Sequence, residues 1–157
     1  MSSRPTWDET WIEVARTVAK RSLCSRDQVG AVVVSRTNRI LETGYNGPPA
    51  GFSLPDLPCR WWCERSGRTP AGTLLSETYD DCVSLHAEQN ALMFGDRAAR
   101  EDGTIYVTSN SCATCAKLIA NSGLETAVID LRTTPEYRRD TKWVEFMEKC
   151  GLTVVIL

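Results

Sequence analysis

A single histidine, His86, is the chain's whole supply of imidazole, so any chemistry that needs that group falls on one position. Long apolar runs are also absent: nothing approaches the roughly 18 consecutive apolar residues of a bilayer-crossing helix. Residues Met1 to Glu9 are polar, with Arg4, Asp8 and Glu9 and no apolar stretch behind them, which is not the pattern of a secretory leader. A soluble, cytoplasmic protein is expected. Nor is there a basic excess. Formal net charge is −2 and the pI about 5.5, whereas proteins that hold long nucleic acids usually present a basic face to the phosphates. Small molecules are the expected partners, and nucleic acid is disfavoured.

What is present suits one domain. The chain has 157 residues, 42% hydrophobic and 24% charged, enough for a sizeable core and ordinary for a globular protein. Trp7 to Leu23 reads as a helix, because Trp11, Ile12, Ala15, Val18, Ala19 and Leu23 recur at three- and four-residue steps. Val29 to Ser35 and Arg39 to Tyr45 are of strand length and joined by Arg36-Thr37-Asn38, which predicts an antiparallel hairpin. Helix is expected again over Ser84 to Arg100, Ala113 to Ser122 and Pro135 to Cys150. Strands are expected at Thr104 to Thr108, Thr126 to Leu131 and Leu152 to Leu157. The alternation in the second half implies parallel strands with helices on both sheet faces, and the hairpin makes the sheet mixed. The expectation is therefore an α/β, three-layer α-β-α sandwich. Between the hairpin and the second helix, a segment at about 47–81 is dense in glycine and proline and breaks all periodicity; an insertion of that length is usually functional.

Seven cysteines without an export leader point to metal binding or catalysis, not to disulfides. Two short motifs concentrate the chemistry. His86-Ala87-Glu88 stands at the front of a helix, and Cys112-Ala113-Thr114-Cys115 lies between a strand and a helix. One histidine and two cysteines make three zinc ligands, leaving a fourth position for water, which is the pattern of a catalytic site. Cys112 and Cys115 converge across the start of a helix, whose positive end favours thiolates. Glu88, two residues from His86, is close enough to handle protons without ligating the metal. On a regular helix the two side chains would diverge, so an irregular helix start is expected there. A zinc-activated water with a glutamate that moves protons is the apparatus for hydrolytic removal of an exocyclic amine from a pyrimidine.

Beyond these motifs the chain resembles the deoxycytidylate (dCMP) deaminases of the cytidine deaminase superfamily. The resemblance lies in Arg4-Pro5-Thr6-Trp7-Asp8-Glu9, Lys20-Arg21-Ser22-Leu23-Cys24, Val29-Gly30-Ala31-Val32-Val33-Val34, Gly44-Tyr45-Asn46-Gly47-Pro48-Pro49-Ala50-Gly51, His86-Ala87-Glu88-Gln89-Asn90-Ala91, Tyr106-Val107-Thr108 and Cys115-Ala116-Lys117. It implies a five-stranded mixed sheet between helices, and conversion of dCMP to dUMP and ammonia in supply of thymidylate synthesis. It also implies a homo-oligomer, commonly a hexamer, with dCTP and dTTP as effectors in many members. The chain departs from the family in three places, one of them the extended segment from Phe52 to Asp81. Ser111 stands where a proline usually precedes the first catalytic cysteine, and Leu131-Arg132 stands where an aromatic residue is often found near the substrate.

Substrate roles follow from the resemblance. Asn46 is expected at the deoxyribose, Arg26 at the 5′-phosphate, and the backbone of Ala87 with the Thr108–Ser109 region at the cytosine edge. On residue type alone, Arg26 reads equally well as a solvated loop charge, and Asn46 as a turn residue beside Gly47. For Cys24, Cys59, Cys63 and Cys82 two readings stand together: a second, structural Zn²⁺ that anchors the long segment, or four ordinary buried thiols. Three competitors to a dCMP deaminase remain. They are a deaminase of another free or base-modified pyrimidine nucleotide, a tRNA or polynucleotide deaminase, and a zinc-stabilised interaction domain that would not need Glu88.

Overall fold

The computed structural model describes residues 4–24, 26–52, 82–134, 136 and 139–157. Its elements are α1 (Trp7–Ala19), β1 (Gly30–Val34), β2 (Ile40–Tyr45), α2 (Ala87–Met93), the single turn α3 (Arg97–Arg100), β3 (Thr104–Val107), α4 (Ala113–Ala120), β4 (Thr126–Ile129), α5 (Lys142–Lys149) and β5 (Thr153–Ile156). The five strands form one sheet in the order β2-β1-β3-β4-β5. β1 runs antiparallel to both β2 and β3, while β3, β4 and β5 are parallel. The mixed sheet between helices is the expected architecture. No helix among the described residues is long and apolar enough to cross a membrane.

Side-chain alternation along the strands explains the layers. Val32, Val34, Tyr106 and Val128 point to one face and pack with Trp11, Ile12 and Ala15 of α1. Ala31, Val33, Ile105, Val107, Ala127 and Ile129 point to the other and meet Ala87, Ala91, Ala116, Ile119, Val144 and Met147 of α2, α4 and α5. Every residue of β1 is buried, as befits a strand covered on both faces. At the start of α1, Thr6 and Glu9 cap each other: Glu9 N–H donates to Thr6 Oγ1 at 3.2 Å and Thr6 N–H to Glu9 Oε2 at 2.7 Å. Gly151, at φ 95°, ends α5 in the left-handed region that glycine adopts without strain.

Three helices differ from the periodicity by more than two residues. α1 stops at Ala19 instead of Leu23, because the chain turns there to bury Ser22, whose hydroxyl donates to the Asn46 carbonyl at 2.7 Å. The helix expected over Ser84 to Arg100 is two pieces: α2 closes at Phe94, and Asp96 caps α3 by accepting from Ala98 N–H at 3.1 Å. Lastly, α5 begins at Lys142 and not at Pro135, and Pro135 itself lies outside the described residues. Asp140 accepts from Lys142 N–H at 2.9 Å, while its own carbonyl accepts from Asn110 Nδ2 at 2.7 Å. The preceding chain is thereby tied to the loop after β3. Most of the segment at about 47–81 (residues 53–81) falls outside the described residues, with Cys59 and Cys63 in it.

At the carboxyl end of β4, Asp130 is fully buried between Arg16 of α1 and Arg132. Burial alone would push its carboxyl up, but hydrogen bonds from the Arg132 side chain and backbone and from Arg16 outweigh that and hold it below the usual range.

Close packing of β2 on α2 sets the height of the helix that opens with His86. A Cβ added at Gly44 would lie 2.2 Å from the Ala87 carbonyl oxygen and 2.5 Å from Ala91 N, both backbone atoms that cannot step aside. Gly44→Ala is therefore expected to cost about 3 kcal/mol of folding stability, the upper end of the usual range for overpacking, read as a lower denaturant midpoint, with activity falling as α2 shifts.

Candidate active site

Two helix starts meet at the carboxyl end of the sheet. His86 is the residue before the first turn of α2, with extended backbone (φ −77°, ψ 160°), and its N–H donates to Gln89 Oε1 at 2.7 Å. Cys112 holds the same place before α4 (φ −75°, ψ 172°), and Cys115 lies in that helix's first turn. The extended backbone at His86 turns its ring away from the helical direction of Glu88, so both side chains reach one cavity from positions only two apart.

Both sulfurs, Cys112 Sγ and Cys115 Sγ, lie 3.4 Å from His86 Nδ1, and all three donor atoms fall within 4.8 Å of one another. On a tetrahedral zinc, sulfur at ~2.3 Å and nitrogen at ~2.05 Å sit about 3.6 Å apart. The spacing, the donor set and the two positive helix ends thus fit a catalytic zinc. Cys112 is held low, at about 4, first by the S–H that Cys115 donates to it and then by His86. Cys115 is pushed up for the converse reason, since it keeps that proton and is buried. A divalent cation on the same atoms takes the place of the shared proton and draws both to thiolate.

Glu88 is almost fully buried beside this cluster. Burial pushes its carboxyl up, against the pull of His86. Oε1 accepts a hydrogen bond of 3.0 Å from Ser111 Oγ, so the residue before Cys112 brings a hydroxyl to the carboxylate.

A cavity of about 260 Å³ opens over these groups. Arg26, Asn46, Ala87 and Ser109 line it together with His86, Glu88 and Cys112. Cys24 and Cys82 are also on its wall, so two of the four cysteines considered for a second zinc are brought to the same place. Thr108 is not. It lies on a neighbouring recess, and its hydroxyl accepts from Gly30 N–H at 3.0 Å, which makes it a brace between β3 and β1. Ser109 borders both spaces, and its buried Oγ finds no hydrogen-bond partner among the described residues.

The Asn46 side chain is committed locally: Oδ1 accepts from Val29 N–H at 2.8 Å and Nδ2 donates to the Asp27 carbonyl at 2.9 Å. It pins the loop that carries Arg26, a role residue type alone did not reveal. Trp143, absent from the expected set, lines the cavity from α5, and the ammonium groups of Lys142 and Lys117 lie 5.3 and 5.8 Å from its ring centroid. An aromatic wall thus exists, but it comes from α5 and not from the Leu131-Arg132 position. No local spacing links Trp143 to His86, so the sequence held no signal for it.

Known proteins are similar to this chain in sequence and in fold. A profile of the family described as "Cytidine and deoxycytidylate deaminase zinc-binding region" matches residues 5–131. The deoxycytidylate deaminase of Mycobacterium phage D29 is 44% identical over 127 residues, covering 80% of this chain and 95% of that one. The deoxycytidylate deaminase of Schizosaccharomyces pombe is 32% identical over 152 residues, covering 95% of this chain but 43% of its own length. Among solved structures, the dCMP deaminase of cyanophage S-TIM5 in complex with dCMP and dUMP superimposes with a TM-score of 0.67 at 26% identity, over 99% of this chain and 100% of that one.

Proposed function

The chain belongs to the family of cytidine and deoxycytidylate deaminase zinc-binding regions, and on that footing we propose that it hydrolyses dCMP to dUMP and ammonia. The observation that carries the reading is the convergence of His86, Cys112 and Cys115 beside a buried, non-ligating Glu88 in one cavity. Relatives named for that activity on both the sequence and the structural side support the choice of dCMP.

His86 Nδ1, Cys112 Sγ and Cys115 Sγ would hold the zinc, which when bound would act as a Lewis acid and lower the pKa of a water from about 15.7 towards 7. Glu88 accepts a proton from that water and delivers it to ring N3, which makes C4 electrophilic. Addition of the water oxygen at C4 gives a tetrahedral carbon. Glu88 then carries the second proton to the 4-amino group, the C4–N bond breaks, and ammonia leaves with its electron pair while the C4 carbonyl forms. A carboxyl raised by burial suits this work, because it must both take up and release a proton within one turnover.

Substrate roles follow the cavity wall. Arg26 is assigned to the 5′-phosphate, which guanidinium grips in bidentate fashion, with Asn46 holding that loop in place for the sugar. Ser109 and the backbone of Ala87 are assigned to the base edge. Association into a homo-oligomer belongs to the same reading, and Met93 and Phe94 at the end of α2 are large apolar side chains left exposed for it.

The test is ammonia release from dCMP, CMP, deoxycytidine, dCTP and 5-substituted dCMP by the zinc-loaded protein. Selective turnover of dCMP, with dUMP and ammonia in equal amounts, is expected. No turnover of dCMP, even with dCTP added as an activator, would assign the site to another nucleotide.

A further inference from the structure

Glutamate's terminal torsion is broad and roughly two-fold, so the carboxylate of an unassisted glutamate does not hold one orientation. A residue that moves protons between a water and a ring nitrogen needs one, since proton transfer is effective only within hydrogen-bond reach. The cavity therefore raises a question of control over Glu88.

Ser111 answers it. This serine is 2% exposed, sits in the loop between β3 and α4 immediately before Cys112, and places Oγ 3.0 Å from Glu88 Oε1. Both residues are on the cavity wall. A serine hydroxyl has one proton to give, and here the carboxylate takes it. One carboxylate oxygen, Oε1, is thereby anchored to the loop before Cys112. Glu88 belongs to the helix that starts at His86, and Ser111 adjoins the helix that starts at Cys112, so this bond spans the same two elements as the three metal donors. It sets the proton carrier in register with the metal from the other side of the site.

We propose that Ser111 is a positioning residue: its hydroxyl anchors Glu88 Oε1 and thereby orients the carboxylate for proton transfer, without touching metal or substrate. This inference rests on the deaminase reading, and its test separates the two. Turnover of dCMP by the parent protein examines the reaction. The state of Glu88 in a crystal structure of zinc-loaded Ser111→Ala examines the anchor with no substrate present.

In Ser111→Ala, zinc content is expected to stay at the parent level and KM for dCMP within about twofold. By contrast, kcat should fall roughly 10- to 100-fold, the usual effect of removing a hydrogen-bond partner that orients a group at a metal site. Ser111→Thr, which keeps a hydroxyl, should regain most of the loss. The crystal structure should show the Glu88 carboxylate in more than one rotamer, against one in the parent. If Ser111→Ala does not fold, Ser111→Val against Ser111→Thr makes the same comparison with matched shapes. Unchanged kcat, a KM effect alone, no recovery in Ser111→Thr, or a single unmoved Glu88 rotamer would each overturn the proposal. So would loss of zinc in step with activity, since Ser111 would then support the metal site and not the carboxylate.

Discussion

Glu88→Gln is expected to lower kcat for dCMP by at least about 10³-fold while leaving one catalytic zinc per chain. Glutamine keeps the shape of the side chain and still offers an oxygen to Ser111 Oγ, so the cavity should not change. It cannot accept the water's proton or return it to N3 and the amine. Loss of a positioned acid–base group costs up to about 10⁴-fold, and here one group makes both transfers. Stability should move the other way. Burial holds the Glu88 carboxyl above its ordinary range, so its stabilising contribution is complete only below the unfolded pKa of about 4.3 and is lost as pH rises through the folded value. In metal-free protein at neutral pH, Glu88→Gln should therefore melt above the parent, with the gap narrowing as pH falls towards 4. Steady-state kinetics, zinc analysis and melting curves over pH check the three parts. Retained dCMP turnover in the zinc-loaded variant would show that a group other than Glu88 moves the protons.

Removing a ligand has a larger effect still. Cys115→Ala deletes a fully buried donor and leaves only His86 and Cys112 to share the ion. Elemental analysis after dialysis should show the catalytic zinc gone and deamination at background. The site also links α2 to α4 through His86 and the two cysteines, so the metal contributes to folding. The variant should accordingly melt lower than the zinc-loaded parent and no longer respond to added zinc. The same analysis of the parent bears on the remaining cysteines. A count near one leaves Cys24, Cys59, Cys63 and Cys82 as thiols; a count near two places a structural zinc among them.

Donor chemistry and strand pattern were legible in the residues because both are local. His86-Ala87-Glu88 and Cys112 to Cys115 announce three candidate metal donors and a carboxylate by type and spacing alone. Strands such as Val29 to Ser35 announce themselves by β-branched side chains. The order of elements then admits few sheets, and the mixed one is observed. Helix lengths were less legible. Periodicity over Pro135 to Cys150 continues past the point where hydrogen bonds to Asn110 and Lys142 tie down Asp140, and those bonds depend on a distant loop.

What residue type and local order decide, then, is the donor set: one imidazole, two thiols and a carboxylate two positions from the histidine. The tertiary structure alone decides who surrounds them. It turns Asn46 inward to brace the Asp27–Val29 loop and takes Thr108 out of the cavity to bond β1. From elements far apart in the chain it brings Trp143 to the wall and Ser111 Oγ to Glu88. The physical reason is that coordination preference and helix or strand periodicity belong to a few neighbouring residues. A buried hydrogen bond or a cavity wall, by contrast, exists only once packing has brought separate elements within about 3 to 4 Å of each other.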